Sequence, residues 1–232
     1  MNVEPLTASQ LAEFRTLTTC VVASAIEAFD VRLRNRGFTD SRVRCMCPEL
    51  PSAVGYAATA RIRSSDPPME GRSYYDRNAW WDSLLKIPAP RIVVIEDVDS
   101  TPGLGAFIGA VHANILLALG CSAVVTNGAV RDLPDVRQSR MQVFAGNISV
   151  SHAYAHVFDF GGTVEVAGLI VQPGDLIHGD MHGVQTIPRD IAALIPAKAQ
   201  QIIQDRKELI AFCRSADFSI AKLRQRLKEL QP

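Results

Sequence analysis

The sequence predicts a single α/β domain with helical ends. Three observations carry this. A β-branched run from Arg91 to Asp99, a helical pattern from Gly109 to Leu119 and an apolar run from Ala123 to Thr126 form a β-α-β unit, which implies a parallel crossover. Short strands cut by glycine or Pro-Gly fill the following stretch from Tyr154 to Ile187. Apolar residues at helical spacing occupy both ends of the chain.

At the N-terminal end, Leu11, Phe14, Leu17, Val21, Ala25, Ile26 and Phe29 repeat at helical intervals between Thr7 and about Arg36. Thr7 or Ser9 can cap a first helix and Thr18 or Thr19 a second, and Gly37 ends the region. Ala53 to Ile62 reads as a strand, and Ser64 to Pro68 as a polar turn. Ser73 to Leu85 reads as a helix carrying Trp80-Trp81, stopped by Pro88 and Pro90. In the β-rich part the expected strands are Tyr154–Phe160, Thr163–Val166, Leu169–Val171, Asp175–Gly179 and Val184–Ile187. Two helices close the chain, Arg189 to about Phe212 and Ser219 to Leu230, the last peripheral and basic with Lys222, Arg224, Arg226 and Lys228. Residues 1–232 therefore read as one domain with a core of about 18–190 and C-terminal helices beyond it.

Composition narrows the function classes. The 232 residues are 47% hydrophobic and 21% charged, a globular balance. Lys plus Arg and Asp plus Glu are 24 each, so no basic excess points to nucleic acid, and a zero net charge suits a chain that hides surface in a homo-oligomer. The apolar run Ile115–Ala118 is far too short to span a bilayer, and the start of the chain lacks the layout of a signal peptide. A cytoplasmic protein whose five cysteines are free thiols is the expectation.

The strongest site candidate is Arg131-Asp132, at the end of CSAVVTNGAV. Ligands of open α/β sheets bind outside the carboxyl ends of strands. The ordinary reading is a surface salt bridge, or an Asp capping the helix-like LPDVRQ. The functional reading starts from the loop holding Gly103, Gly105 and Gly109, which feeds a helix whose free N–H groups bind anions. Arg131 can fork a carboxylate there, and Asp132 can hold Mg²⁺ or Mn²⁺, hard cations that keep several waters. His112, in the first helical turn, either touches substrate or is a partly buried polar residue. His152/His156 and His178/His182 have the i, i+4 spacing of a helical zinc site, but both pairs fall in β or turn segments. Cys45-Met46-Cys47 has no partner pair, and Tyr74-Tyr75 and Trp80-Trp81 read as packing or interface residues. No phosphate-binding P-loop, nucleophile elbow or dinucleotide fingerprint is present.

Taken together, three ordered blocks resemble the RraA-like family, which includes the class II 4-hydroxy-4-methyl-2-oxoglutarate aldolases. AVGYAATARI resembles its GpAvTvr strand. NGAVRDLPD resembles its motif of an acid, about twenty residues, Arg-Asp and a trailing acid. VQPGDLIHGDMHGVQTIP resembles its closing block. The resemblance covers about Thr18 to Asp205. It implies a compact swivelling β/β/α fold like the phosphohistidine domain, assembled as trimers or hexamers with sites between subunits. The activity it implies is metal-dependent cleavage of 4-hydroxy-2-oxo acids to pyruvate, or oxaloacetate decarboxylation, through an enolate.

By the same resemblance Asp132 holds the cation and Arg131 binds the pyruvyl group. The backbone of Gly109, Ala110, Val111 and His112 binds the substrate carboxylate, and Asp135 is the trailing acid. An acid from a neighbouring subunit orders metal-bound water, Glu208 or else Asp205. Ala110 departs from the pattern, since it stands where the family carries Asp or Glu. This leaves three readings: a variant with a different reaction, an inactive binding protein, or an acid deliberately replaced. The alternative class is a protein-binding regulator, because the family's namesake inhibits an RNA-degrading endonuclease. That namesake lacks the Asp of the Arg-Asp pair, which Asp132 supplies here. A methyltransferase, a label the family has carried, is disfavoured by the missing glycine-rich nucleoside motif.

Overall fold

A computed structural model describes residues 5–68 and 78–229. The elements run α1 (Ala8–Arg15), α2 (Thr19–Glu27), β1 (Arg44–Cys45), β2 (Ala53–Arg63), α3 (Asn78–Leu85), β3 (Arg91–Asp97), β4 (Ala106–Ile108), α4 (Ala110–Ala118), β5 (Cys121–Val130), α5 (Leu133–Ser139) and β6 (Gln142–Ile148). There follow β7 (His156–Phe160), β8 (Val164–Val166), β9 (Leu169–Val171), β10 (Leu176–Asp180), β11 (Gly183–Ile187), a 3₁₀ turn Arg189–Leu194, α6 (Ile195–Cys213) and α7 (Ile220–Glu229). Of the expected helix Ser73–Leu85, residues 73–77 and with them Tyr74-Tyr75 lie outside the described residues.

The main sheet runs β1-β6-β5-β3-β2-β10-β11, with β4 attached to β5 and β7 to β2. Strands β2, β3, β5 and β6 are parallel neighbours, as the β-α-β reading requires. Side chains alternate across each strand. Val93, Ile95 and Val124 face α3, α4 and α5, where Leu84, Trp80, Leu116 and Val136 meet them. Ile92, Val94, Ala123 and Val125 face the hairpin β8–β9. A third apolar cluster lies under α1, α2 and α6. The result is one mixed α/β domain with a strongly curved sheet and flanking helices. No helix among the described residues is long and apolar enough to cross a membrane.

Local chemistry sets the boundaries. Thr7 caps α1 in a capping box with Gln10, and Thr18 caps α2 through the N–H of Val21. Strand β3 stops at Asp97, short of the expected Asp99, because both carboxylates turn to the backbone: Asp97 accepts from the Gly103 N–H at 2.8 Å, and Asp99 accepts from the Ser64 N–H at 2.7 Å. Strand β5 runs on past Thr126, the expected end of the apolar run. The Asn127 amide pairs with the backbone of Asp97 (2.7 and 2.9 Å), and the ladder absorbs the change in a bulge. The five cysteines are free thiols, as expected.

The His178 ring is fully buried on β10 and satisfied as a neutral imidazole. Nε2–H donates to the Phe14 carbonyl at 3.0 Å, and Nδ1 lies 3.4 Å from the Thr19 hydroxyl. Burial pushes its pKa below the ordinary 6.5, against the hydrogen bond to Phe14 and the charge of Asp180. The unfolded chain therefore binds a proton that the native ring resists. This contribution to stability is complete above about pH 6.5 and is lost as the pH falls toward the lowered native value. The melting temperature is expected to drop between pH 7 and pH 5 in calorimetry. His178→Gln should be less stable at pH 7 but show a shallower drop; an unchanged slope would remove His178 as the cause.

Candidate active site

The site forms where β5 and β4 end side by side. Arg131 follows the last residue of β5, and its N–H donates to the Ile108 carbonyl at 2.9 Å, holding it against the β4–α4 junction. Asp132 adopts a left-handed backbone, φ 54° and ψ 39°. Asp tolerates this region better than most residues, but strain of this kind gathers at functional positions. The turn aims the carboxylate away from its own helix α5, where it makes no side-chain cap, and across to α4. There Oδ2 accepts from the Ala110 N–H at 3.3 Å, while Oδ1 accepts from Arg131 Nε at 3.1 Å. The capping role considered for Asp132 therefore exists, but the helix end it reaches is that of α4.

Electrostatics follow from these contacts. Partial burial pushes the Asp132 carboxyl up. The bond from Arg131, the Ala110 N–H, and the charges of Arg131 and His152 outweigh it and hold the group below the usual carboxylate range. Asp132 is thus an anion with free lone pairs, about one third exposed (35%), beside a guanidinium of similar exposure (31%). Among the described residues Arg131 spends only Nε on the protein, so its terminal nitrogens remain to fork an anion. Gly109 makes this closeness possible: a Cβ there would stand 2.7 Å from Asp132 Oδ2 and 3.0 Å from Arg131 Cγ.

The other expected site residues separate. Gly109 and Ala110 lie at the centre of the arrangement, although one of the N–H groups expected to bind substrate, that of Ala110, is engaged by Asp132. Val111 is 57% exposed and, with Ala110, Asn114, Ile115 and Ala118, lines a shallow apolar groove of about 520 Å³ along α4. The His112 side chain is buried and stacks on Phe107, with ring centroids 5.1 Å apart. Asp135 is exposed in the first turn of α5. Glu208 and Asp205 lie on α6, which packs against α2 and α1 in a different layer of the molecule. Each is bonded to a glutamine one turn earlier on α6, Gln204 and Gln201, at 2.7 Å. Within one chain neither is brought to Asp132.

His152, which the sequence offers only as half of a metal pair, is tied to the strand that leads into this centre. Nδ1 of His152 lies 2.7 Å from the carbonyl oxygen of Ala106, in the strand that leads into α4, and its charge is felt by Asp132. Nothing in the spacing of His152 and His156 signals this placement. His182 bonds Asp180 at 3.0 Å, so the second histidine pair also serves separate ends. Among the described residues no group of three or more His, Cys, Asp or Glu is placed to hold a metal.

Comparison with known proteins identifies the family and the fold. The model of the RraA-like family, described as Aldolase/RraA, matches residues 19–185. A protein of Halalkalibacterium halodurans provisionally named a 4-hydroxy-4-methyl-2-oxoglutarate aldolase is 24% identical over 201 residues, which is 85% of this chain and 86% of that one. An uncharacterized protein of Methanocaldococcus jannaschii is 31% identical over 133 residues, 56% of this chain, and the match spans 64% of that relative's length. Among solved structures, an uncharacterized protein of Pseudomonas syringae superposes with a TM-score of 0.73 at 19% identity, covering 99% of this chain and 97% of that one. A Streptomyces coelicolor protein described as an unusual member of the RNase ES inhibitor RraA family superposes at 0.67 and 17% identity, covering 88% and 96%. The family match includes β4, α4, β5 and the Arg131-Asp132 turn, and the chain belongs to the RraA-like family.

Proposed function

We propose that the chain is a divalent-metal-dependent lyase that releases pyruvate from a small oxo or hydroxy acid. The observation that carries this reading is the pairing of an ionised Asp132 with the uncommitted guanidinium fork of Arg131 at the N-terminal end of α4. The aldolase name of the Halalkalibacterium relative agrees with it.

The donor chemistry fits Mg²⁺ or Mn²⁺. Asp132 offers hard carboxylate oxygens at a half-open position, which suits a cation that retains most of its waters. When bound, such an ion supplies Lewis acidity that draws charge from an oxo-acid oxygen. Arg131 binds the 2-oxo acid and neutralises negative charge as it develops on the pyruvyl oxygen. The first-turn N–H groups of α4 lie at the positive end of the helix and attract the substrate carboxylate. No lysine Schiff base is needed in this scheme. The expected trimer or hexamer would bring Glu208 or Asp205 of a neighbouring subunit toward the site and cover the apolar groove of α4.

Purified protein is expected to release pyruvate from oxaloacetate with Mg²⁺ and to lose that activity with a chelator, in a lactate-dehydrogenase-coupled assay. Ala110→Glu is expected to tighten Mg²⁺ binding several-fold and raise the rate. A carboxylate at the first position of α4 adds a second acid next to Asp132, and the helix end tolerates it. Unchanged Mg²⁺ affinity in calorimetry, with an unchanged rate, would show that position 110 lies outside the metal's water shell.

A second reading, a non-catalytic protein-binding regulator, is favoured by one observation: Ala110 provides no acid at the helix start. The RraA description of the Streptomyces protein agrees with it. Absence of metal-dependent turnover with any small oxo acid, together with capture of a protein partner, would decide for it.

A further inference from the structure

The last helix holds its polar side toward the protein and its apolar side away from it. Ser219 starts α7, its hydroxyl accepting from the Lys222 N–H at 3.3 Å. The crevice between α7 and the end of α6 is lined on the α7 side by Lys222, Gln225 and Arg226. The Arg226 guanidinium lies over the Phe212 ring, 4.5 Å from its centre, and Lys222 meets Asp217 at 3.9 Å. Residues three, four and seven apart share a helix face, so Ile220, Leu223 and Leu227 form a stripe on the other side of α7. Ile220 is 55% and Leu227 43% exposed, and no residue from Ile220 to Lys228 is buried. Arg224 and Lys228 border this stripe and join no ion pair among the described residues. With Lys222 and Arg226 they make this stretch purely cationic, with no acid from Ile220 to Lys228, in a chain of zero net charge.

We propose that α7 is a docking surface for an anionic lipid membrane. A helix of this kind lies in the plane of the interface. Its apolar residues enter the boundary between headgroups and acyl chains, and its cations meet the negative headgroups. Ile220, Leu223 and Leu227 are the inserting residues, and Arg224 and Lys228 stand at headgroup level beside them. The helix lies on the bilayer and does not cross it, being far too short to do so. A second copy of the same stripe is the poorer occupant, because Arg224 and Lys228 of the two helices would face each other along the seam. Since α6 covers the opposite side, α7 offers one convex ridge. That suits a flat, fluid surface better than a protein groove that must enclose a helix.

The test is co-sedimentation of the full-length protein with vesicles of phosphatidylcholine alone and of equimolar phosphatidylcholine and phosphatidylglycerol. Binding to the anionic vesicles is expected to exceed binding to the neutral ones about tenfold or more, and to fade at high ionic strength. Ile220→Ser with Leu227→Ser, and separately Arg224→Glu with Lys228→Glu, are each expected to lower anionic-vesicle binding about tenfold or more. Neither pair contains a buried side chain, so the melting temperature should hold, which confirms that the fold survives. No binding to the anionic vesicles, equal binding to both compositions, or full binding by either double variant would overturn the proposal. Failure on the vesicles with binding of polyglutamate would assign α7 to an acidic protein instead. A smaller oligomer in light scattering for Ile220→Ser with Leu227→Ser would assign the stripe to a contact between copies and overturn the proposal likewise.

Discussion

Replacing Arg131 with alanine is expected to lower kcat/KM for oxaloacetate about 10²–10³-fold, the range seen when one preorganised donor to a developing oxyanion is removed. The guanidinium is the one cationic fork placed by β5 at the α4 end among the described residues, and only Nε is bound to the protein. Two effects combine on its loss: substrate binds less tightly, and enolate charge goes unanswered. KM and kcat should therefore both worsen. Arg131→Lys should recover little, because a point charge cannot fork a planar carboxylate and also hold Asp132. The fold should survive, since the backbone N–H of residue 131 still reaches the Ile108 carbonyl and the side chain packs in no core cluster. Steady-state kinetics with calorimetric binding of a 2-oxo acid checks this. Equal affinity in the mutant would mean that Arg131 does not touch substrate.

Asp132→Asn is expected to reduce metal-dependent pyruvate release about 10²-fold or more, on the scale of a lost charge-stabilising contact, with little change in melting temperature. Asparagine tolerates the left-handed backbone at φ 54°, and its amide oxygen can still accept the Ala110 N–H. What disappears is the negative charge that the structure keeps ionised. A mutant as active as the parent would show that the carboxylate serves only to tie α5 to α4.

Much of the frame is written in local pattern. The β3–α4–β5 crossover follows from two β-branched runs around a helical one, and the helix starts at Thr7 and Thr18 follow from capping chemistry. Arg131-Asp132 was legible as a pair at the end of an apolar strand. Its partner was not: the bond from Ala110 to Asp132 joins residues of two elements and depends on a left-handed turn that side-chain pattern does not encode. Strand β4 was hidden inside a glycine-rich loop, where Ala106–Ile108 is too short for a period to show. Strand β5 outruns the expected run Ala123 to Thr126 for a related reason. Asn127 is consumed by the backbone of Asp97 on the neighbouring strand, so a dipeptide that usually turns the chain here continues it. His152 is placed by its bond to Ala106, a contact that no spacing of histidines along the chain can reveal.

The central claim is that Arg131 and Asp132 form one anion-and-metal centre. Titration of Mn²⁺ followed by water-proton relaxation tests it most directly, with the unaltered protein and Asp132→Asn in parallel and with pyruvate added to each. The unaltered protein should bind Mn²⁺, and pyruvate should change the relaxivity of the bound ion; Asp132→Asn should show neither effect. Equal Mn²⁺ binding by both proteins, or no response to pyruvate in the unaltered one, would contradict the claim.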